Sequence, residues 1–320
     1  MLRWRLVAGI SLVLVFGLLV ALDLKLGPGA PVLLLLASVV VARASWEFCE
    51  LARPRVPDGD WRALAAWGLL LTWSNWWPRW FPSLPAPHVG WPLLVFCLAV
   101  CGFFLQAMAR YRAPGGNIEW LALHLLGLAY CAGLTTCVVQ LRWVAGGALG
   151  YVPLVSLVVA TKCGDTLAYT LGRLIGGAKM SPLLSPGKTL AGGAGALLGG
   201  MLGTWAWLNG AIPRRAVAKA AREAAQPASN EGLGQLANLA VGPVWAVLLF
   251  GLLLGLFGLF GDLAESLIKR DLGQKDAPPL FRGLGGALDV IDSVLFCGPI
   301  ALLLWSILPL VRGLSGTPAP

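Results

Sequence analysis

Long stretches without one charged residue alternate with short polar segments along this chain. The uncharged runs are Leu6–Leu22, Leu26–Ala42, Ala63–Pro78, Trp80–Ala109, Trp120–Leu141, Trp143–Thr161, Thr189–Pro213, Gly232–Gly261 and Ser293–Val311. A bilayer core requires about 20 apolar residues per spanning helix. These nine runs, some of them short or rich in proline, predict an all-α polytopic membrane protein with seven to nine transmembrane helices. A spanning barrel would instead show short segments of alternating polarity. The first run follows Met-Leu-Arg-Trp-Arg with no small-x-small cleavage site after it, so it reads as a retained helix rather than a signal peptide. Within Thr189–Pro213, the spacing of Gly195, Gly199 and Gly203 predicts a helix-packing face.

The polar segments set an orientation. Basic residues collect in cytoplasmic loops. With nine spans and the N-terminus inside, Arg43, Arg53, Arg55, Arg62, Arg110, Arg112, Lys162, Arg173, Lys179, Lys188, Lys269 and Arg270 all fall on the cytoplasmic side. The segment Ala211–Gly232, with Arg214, Arg215, Lys219 and Arg222, disagrees. Either Arg214–Ala225 is a helix on the membrane surface or the span count is off by one nearby. No repeat or linker separates soluble domains. The chain reads as one integral membrane unit, with residues 1–160 as N-terminal helices and 161–320 carrying the polar motifs. The active site is expected to face the cytoplasm, and a bacterial-type inner membrane is expected.

Composition agrees with this picture. Hydrophobic residues make up 58% and charged residues 12%, about half of what soluble domains carry. The net charge of +9 fits anionic lipid headgroups and the cytoplasmic bias equally. Nothing points to nucleic acid. The seven cysteines include no Cys-x-x-Cys pair, and most lie inside apolar runs. Cys97 and Cys101, one helical turn apart, read as small apolar residues rather than metal ligands. His88 and His124 stand alone, so neither a zinc site nor a disulfide framework is predicted.

Two polar islands break the apolar pattern. Asp262 to Asp292 holds ten of the 39 charged residues in about a tenth of the length. If the preceding helix continues, Asp262, Glu265, Ser266 and Lys269 share one face. Pro278 and Pro279 then break the chain, and Gly283, Gly285 and Gly286 allow a tight turn. A new helix near Ala287 places Asp289, Asp292 and Ser293 on one face. Carboxylates gathered beside basic residues suit Mg²⁺ and phosphates. Asp271, Lys275 and Asp276, taken singly, read equally well as solvated loop charges. The second island, Thr161–Thr189, carries Asp165, Tyr169, Arg173 and then Ser185-Pro186-Gly187-Lys188-Thr189. It fails as a P-loop because Pro182 stands where glycine is needed and no strand is expected before it. It reads either as an anion-binding helix start or as a plain N-cap with a juxtamembrane lysine.

These residues resemble a known family. Ser266-Leu-Ile-Lys269-Arg270, Lys275-Asp276 and Gly285-Gly286-Ala-Leu-Asp289-Val-Ile-Asp292-Ser293 look like the C-terminal signature of the phosphatidate cytidylyltransferases, or CDP-diacylglycerol synthases. That signature runs Ser-x-x-Lys-Arg, Lys-Asp, His-Gly-Gly and Asp-Arg-x-Asp. Asp165-Thr-Leu-Ala168-Tyr169-Thr-Leu-Gly172-Arg173 and Ser185-Pro186-Gly187-Lys188-Thr189-Leu-Ala191-Gly192 resemble two further stretches of the same family. The likeness runs from about Thr161 to Ser293. It departs from the family pattern at Leu284, Val290, Ala191 and Arg282.

The resemblance implies that CTP and phosphatidic acid react in the bilayer to give CDP-diacylglycerol and pyrophosphate. It places Mg²⁺ on Asp262 and Asp289, and phosphates on Lys188, Lys269 and Arg270. Asp165, Ser185, Thr189, Ser266, Lys275, Asp276 and Asp292 are further candidates around the substrates. Whether a second ion such as K⁺ joins the Mg²⁺, and whether the protein is a homodimer, stays open. The alternatives are a CTP-dependent lipid kinase, a transporter and a catalytically reduced relative, the last kept by the departures at Leu284, Val290 and Ala191.

Overall fold

The computed structural model describes residues 15–27, 29–85, 87–144, 150–224, 240–274, 277–278 and 285–312, with side chains left out for 212–224 and 312. Lys275, Asp276, Leu284 and Arg282 lie outside these residues. After helical residues 15–26, the helices are α1 (Pro31–Ala52), α2 (Trp61–Trp73), α3 (Trp91–Arg110), α4 (Asn117–Val144), α5 (Val152–Leu174), α6 (Leu190–Ala224), α7 (Val244–Asp271) and α8 (Ala287–Ile307). Four short strands accompany them: β1 (Lys179–Ser181), β2 (Ser185–Thr189), β3 (Ala240–Val241) and β4 (Val311–Arg312).

Among the described residues, six helices are long and apolar enough to cross a membrane: α1, α3, α4, α5, α7 and α8. This is the all-α polytopic architecture that the apolar runs predict. Residues 15–26 and α6 coincide with two further runs. The Ala63–Pro78 run instead gives α2, whose 13 residues fall short of a straight span. After Trp80, which ends a single helical turn at Trp77–Trp80, the Trp80–Ala109 run becomes helical again only at Trp91, with proline in the first turn. The 35 residues of α6 make a helix of about 52 Å. Residues 214–224 are therefore the last turns of α6 and not a separate surface helix.

The chain gathers into two compact units, Met1–Val139 with Ala264–Leu295, and Gln140–Leu263 with Phe296–Pro320. The expected division at residue 160 follows the order of the motifs, whereas compactness assigns α7 and α8 to both units.

In the first unit, α1, α2 and α4 pack through small residues. A Cβ on Gly68 would meet Val41 and Ala132, and one on Gly127 would meet Leu64 and Phe48. Phe48, Leu64, Leu71, Phe103, Trp120 and Leu128 are buried in this core. A single π-helical turn, Leu128–Gly133, interrupts α4. Asp60 caps α2 by accepting from the amides of Arg62 (3.0 Å) and Ala63 (3.1 Å). His124 is fully buried and stacked on Trp120. Its Nδ1 lies 2.7 Å from the Trp120 carbonyl and its Nε2 accepts from the Asp60 amide at 3.1 Å. The histidine without a motif is thus a core residue with both ring nitrogens engaged.

In the second unit, the predicted glycine face carries the α5–α6 contact. A Cβ on Gly195 would strike the Leu167 carbonyl, and one on Gly199 that of Cys163. The neighbouring side of α6 does the same with α7, where Gly200 faces Gly251 and Ala196 faces Gly255. Sheet pairing is small: β1 with β2, and β3 with β4, both antiparallel.

Candidate active site

In the second unit the motif Ser185–Thr189 forms β2, the returning strand of a hairpin. The expectation of no strand before α6 is therefore corrected: antiparallel pairing with Lys179–Ser181 holds the motif extended. The chain enters α6 directly after Thr189, whose Oγ1 accepts from the Gly192 amide at 3.1 Å. Thr189 is thus an N-cap. A Cβ on Gly172 would meet Thr189 Oγ1 and Gly192, so the end of α5 is pressed against this cap. Lys188 extends to Asp262, with Nζ 2.7 Å from Oδ2, across 74 positions of sequence. Both side chains keep some exposure, 22% and 30%. Ser185 is half-buried in the strand. On α5, Asp165 pairs with Lys162 at 2.9 Å, and Arg173 donates to the Tyr169 hydroxyl at 2.8 Å.

In the first unit the C-terminal part of α7 meets the start of α8. Lys269 lies 3.2 Å from Glu265 Oε2 and 2.5 Å from Asp289 Oδ1. The side chains of Lys269 and Glu265 are 12% and 6% exposed, and that of Asp289 is 20% exposed. Lys269 thus stands between the carboxyls of Glu265 and Asp289. The other oxygen of Asp289 accepts from the Gly286 amide at 2.8 Å. Gly285 permits that turn with φ +82, and a side chain there would collide with Asp289. The helix α7 ends at Asp271, earlier than the proline pair, because Gly273 is left-handed with φ 71. The amides of Gly273 and Gln274 return to the carbonyls of Arg270 and Lys269 at 3.0 and 2.8 Å, which closes the helix end. Ser266 is half-buried and Arg270 exposed. Asp292 is buried, 2.6 Å from the Ser293 amide.

A lysine stands beside carboxylate in each unit, Lys188 with Asp262 in the second and Lys269 with Glu265 and Asp289 in the first. The sequence reading placed Glu265 on the right face of α7 but did not select it. Its Oε1 is buried and lacks a hydrogen-bond partner among the described residues. Glu47, fully buried in α1, was missed altogether, although Arg43 and Glu47 stand at the i, i+4 spacing of an ion pair near a helix end.

The donors can be tested against a divalent metal. Among the described residues, no three His, Cys, Asp or Glu side chains gather closely enough to hold a metal ion by themselves. Mg²⁺ does not require such a cage, since it normally takes one or two carboxylates together with substrate phosphates and water. Asp262 and Asp289 are hard oxygen donors, each already facing a cation. The unpartnered Glu265 oxygen adds a buried acceptor beside Asp289. Taken each within its own unit, these carboxylates are donors of the kind that a metal arriving with phosphate takes.

Comparison with known proteins bears on this arrangement. A profile of the cytidylyltransferase family matches residues 3–308. The uncharacterized protein YnbB of Escherichia coli is 34% identical over 245 residues, covering 70% of this chain and 69% of YnbB. A phosphatidate cytidylyltransferase of Chlamydia pneumoniae is 33% identical over 148 residues, 46% of this chain and 40% of that enzyme. Another, of Brucella abortus, is 31% identical over 163 residues, 49% of this chain and 48% of that enzyme. The matched stretch thus spans less than half of either of these enzymes.

Proposed function

This chain belongs to the cytidylyltransferase family, an integral membrane nucleotidyltransferase, and we propose that it joins CTP to phosphatidic acid. In this reaction an oxygen of the lipid phosphate attacks the α-phosphorus of CTP. A new P–O–P bond forms, the α–β bond breaks, and pyrophosphate leaves while CDP-diacylglycerol stays in the bilayer. Two anions must approach each other, so charge neutralisation and positioning supply most of the catalysis.

The observation that carries the proposal is the pairing of lysine with carboxylate at both motif islands, Lys188 with Asp262 and Lys269 with Asp289. Each lysine is a cation held beside a carboxylate. With Asp262 engaged by Mg²⁺, Lys188 would be released to phosphate oxygens, and with Asp289 engaged by Mg²⁺, so would Lys269. The metal, when bound, supplies charge neutralisation at the α-phosphate and the departing pyrophosphate. Arg270, exposed at the end of α7, is assigned to phosphate. Lys275 and Asp276, at the matching motif positions, are assigned beside it. Ser185, Ser266 and Asp165 are assigned to substrate contacts, and Thr189 and Asp292 to holding the two helix starts in place. The basic residues around both islands support a cytoplasmic site in a bacterial inner membrane.

The test is incubation of the purified protein with phosphatidic acid, labelled CTP and Mg²⁺, following lipid and phosphate products together. CDP-diacylglycerol and pyrophosphate in equal amounts are expected. Release of CDP with a phosphorylated lipid alcohol would replace the proposal by a lipid kinase, and absence of CTP binding would remove the nucleotide reading.

A further inference from the structure

We infer that Glu47, on α1, is a positioning residue that frees the Asp289 carboxylate for its work in the site. The inference rests on the reading above, in which Asp289 holds the metal.

Three consecutive amides open α8 and need acceptors. The Gly286 amide donates to Asp289 Oδ2 at 2.8 Å. The next two, Ala287 and Leu288, donate to Glu47 Oε1 at 2.7 Å and Oε2 at 2.8 Å. Asp289 is the third residue of α8, the position from which an acidic side chain reaches back to cap its own helix. Without Glu47, the neighbouring bare amides would compete for both oxygens of Asp289. With Glu47 in place, Asp289 spends one oxygen on the turn and leaves Oδ1 to Lys269.

The clamp is built for this task rather than incidental. Glu47 has no exposure at all, and a buried carboxylate persists only when paired and hydrogen-bonded. Arg43 supplies the charge, with one guanidinium nitrogen 2.7 Å from Glu47 Oε1 and 3.2 Å from the Pro278 carbonyl. The same arginine therefore ties down the chain that leads from α7 towards α8. Gly286 has to be glycine here, because a Cβ would lie 2.9 Å from Glu47 Oε2 and 2.7 Å from the Ala277 Cβ. The second glycine of the Gly-Gly pair thus makes room for a carboxylate that holds the Ala287 amide, 240 positions along the chain from it.

The experiment compares wild type, Glu47→Gln and Arg43→Gln, each full length and purified in detergent. It reads product formation against Mg²⁺ concentration, and amide hydrogen exchange over residues 285–293. Glu47→Gln keeps the shape but can accept only through one oxygen. Its amides at Ala287 and Leu288 should exchange faster, and its Mg²⁺ half-activation should rise by about tenfold or more, as for other residues that orient metal ligands. Arg43→Gln should move both readouts the same way by less. Faster exchange with an unmoved Mg²⁺ curve would make Glu47 a helix cap only and overturn the inference, as would unchanged exchange. If Glu47→Gln does not yield folded protein, Arg43→Gln decides by the same two readouts. If wild type forms no CDP-diacylglycerol, the proposed reaction fails on its own. The clamp is then judged by exchange and by Mg²⁺-dependent thermal stabilisation, which Glu47→Gln should diminish and would leave intact if the inference is wrong.

Discussion

Replacing Lys269 with methionine removes the cation between two carboxylates while keeping nearly the same length of side chain. With an effective dielectric of about 20, the gross attraction at 2.5 Å to Asp289 is about 7 kcal/mol. Desolvation of the buried groups cancels most of that attraction. Deleting one partner is a different matter, since the surviving charges stay buried and uncompensated, at a cost of about 3–5 kcal/mol. The low exposure of all three side chains places this site in that regime. Thermal unfolding of the purified variant in detergent should therefore start well below that of wild type. Millimolar Mg²⁺ should recover part of the loss, since a divalent cation can replace the ammonium between Glu265 and Asp289. NaCl at matched ionic strength should not. A variant as stable as wild type, or one rescued equally by NaCl, would refute the reasoning.

Three further outcomes follow from the same geometry. Asp289→Asn should abolish CTP-dependent product formation while the protein still accumulates in membranes, measured by lipid product per unit of membrane protein. Lys188→Ala should raise the CTP concentration for half-maximal rate by about tenfold, the weight of one charge-assisted contact to phosphate, and an unchanged value would leave Lys188 a partner of Asp262 alone. Gly251→Ala should destabilise the α6–α7 contact by about 1–3 kcal/mol through overpacking, because a Cβ there meets the backbone of Gly200 and Met201. The control, Gly210→Ala, has no atom within 4 Å of the new Cβ and should leave the unfolding temperature unchanged or slightly raised.

Much of this protein follows from sequence alone. Charge-free runs of membrane length require helices, because an unpaired backbone is too costly in hydrocarbon. Helical periodicity puts Asp262, Glu265 and Lys269 on one face of α7, and α8 begins at Ala287 as the glycine pair predicts. The spacing of Gly195, Gly199 and Gly203 marks a close helix contact, since only small residues let backbones approach. Each of these is a local rule, acting within one helix or one turn.

Tertiary structure decided which residues meet. Lys188 reaches Asp262, Lys269 reaches Asp289, and Glu47 reaches the first amides of α8. These pairs lie 74, 20 and 240 positions apart. Periodicity within a helix assigns a face but not the neighbour that the face meets. That neighbour is set by how glycines and small side chains seat one helix on another. The hairpin that holds Ser185–Thr189 extended was equally hidden, because its strands are short and the second contains proline and glycine, which carry little strand signal. Glu47 escaped notice because its partners are backbone amides, which every residue but proline possesses and no sequence pattern marks.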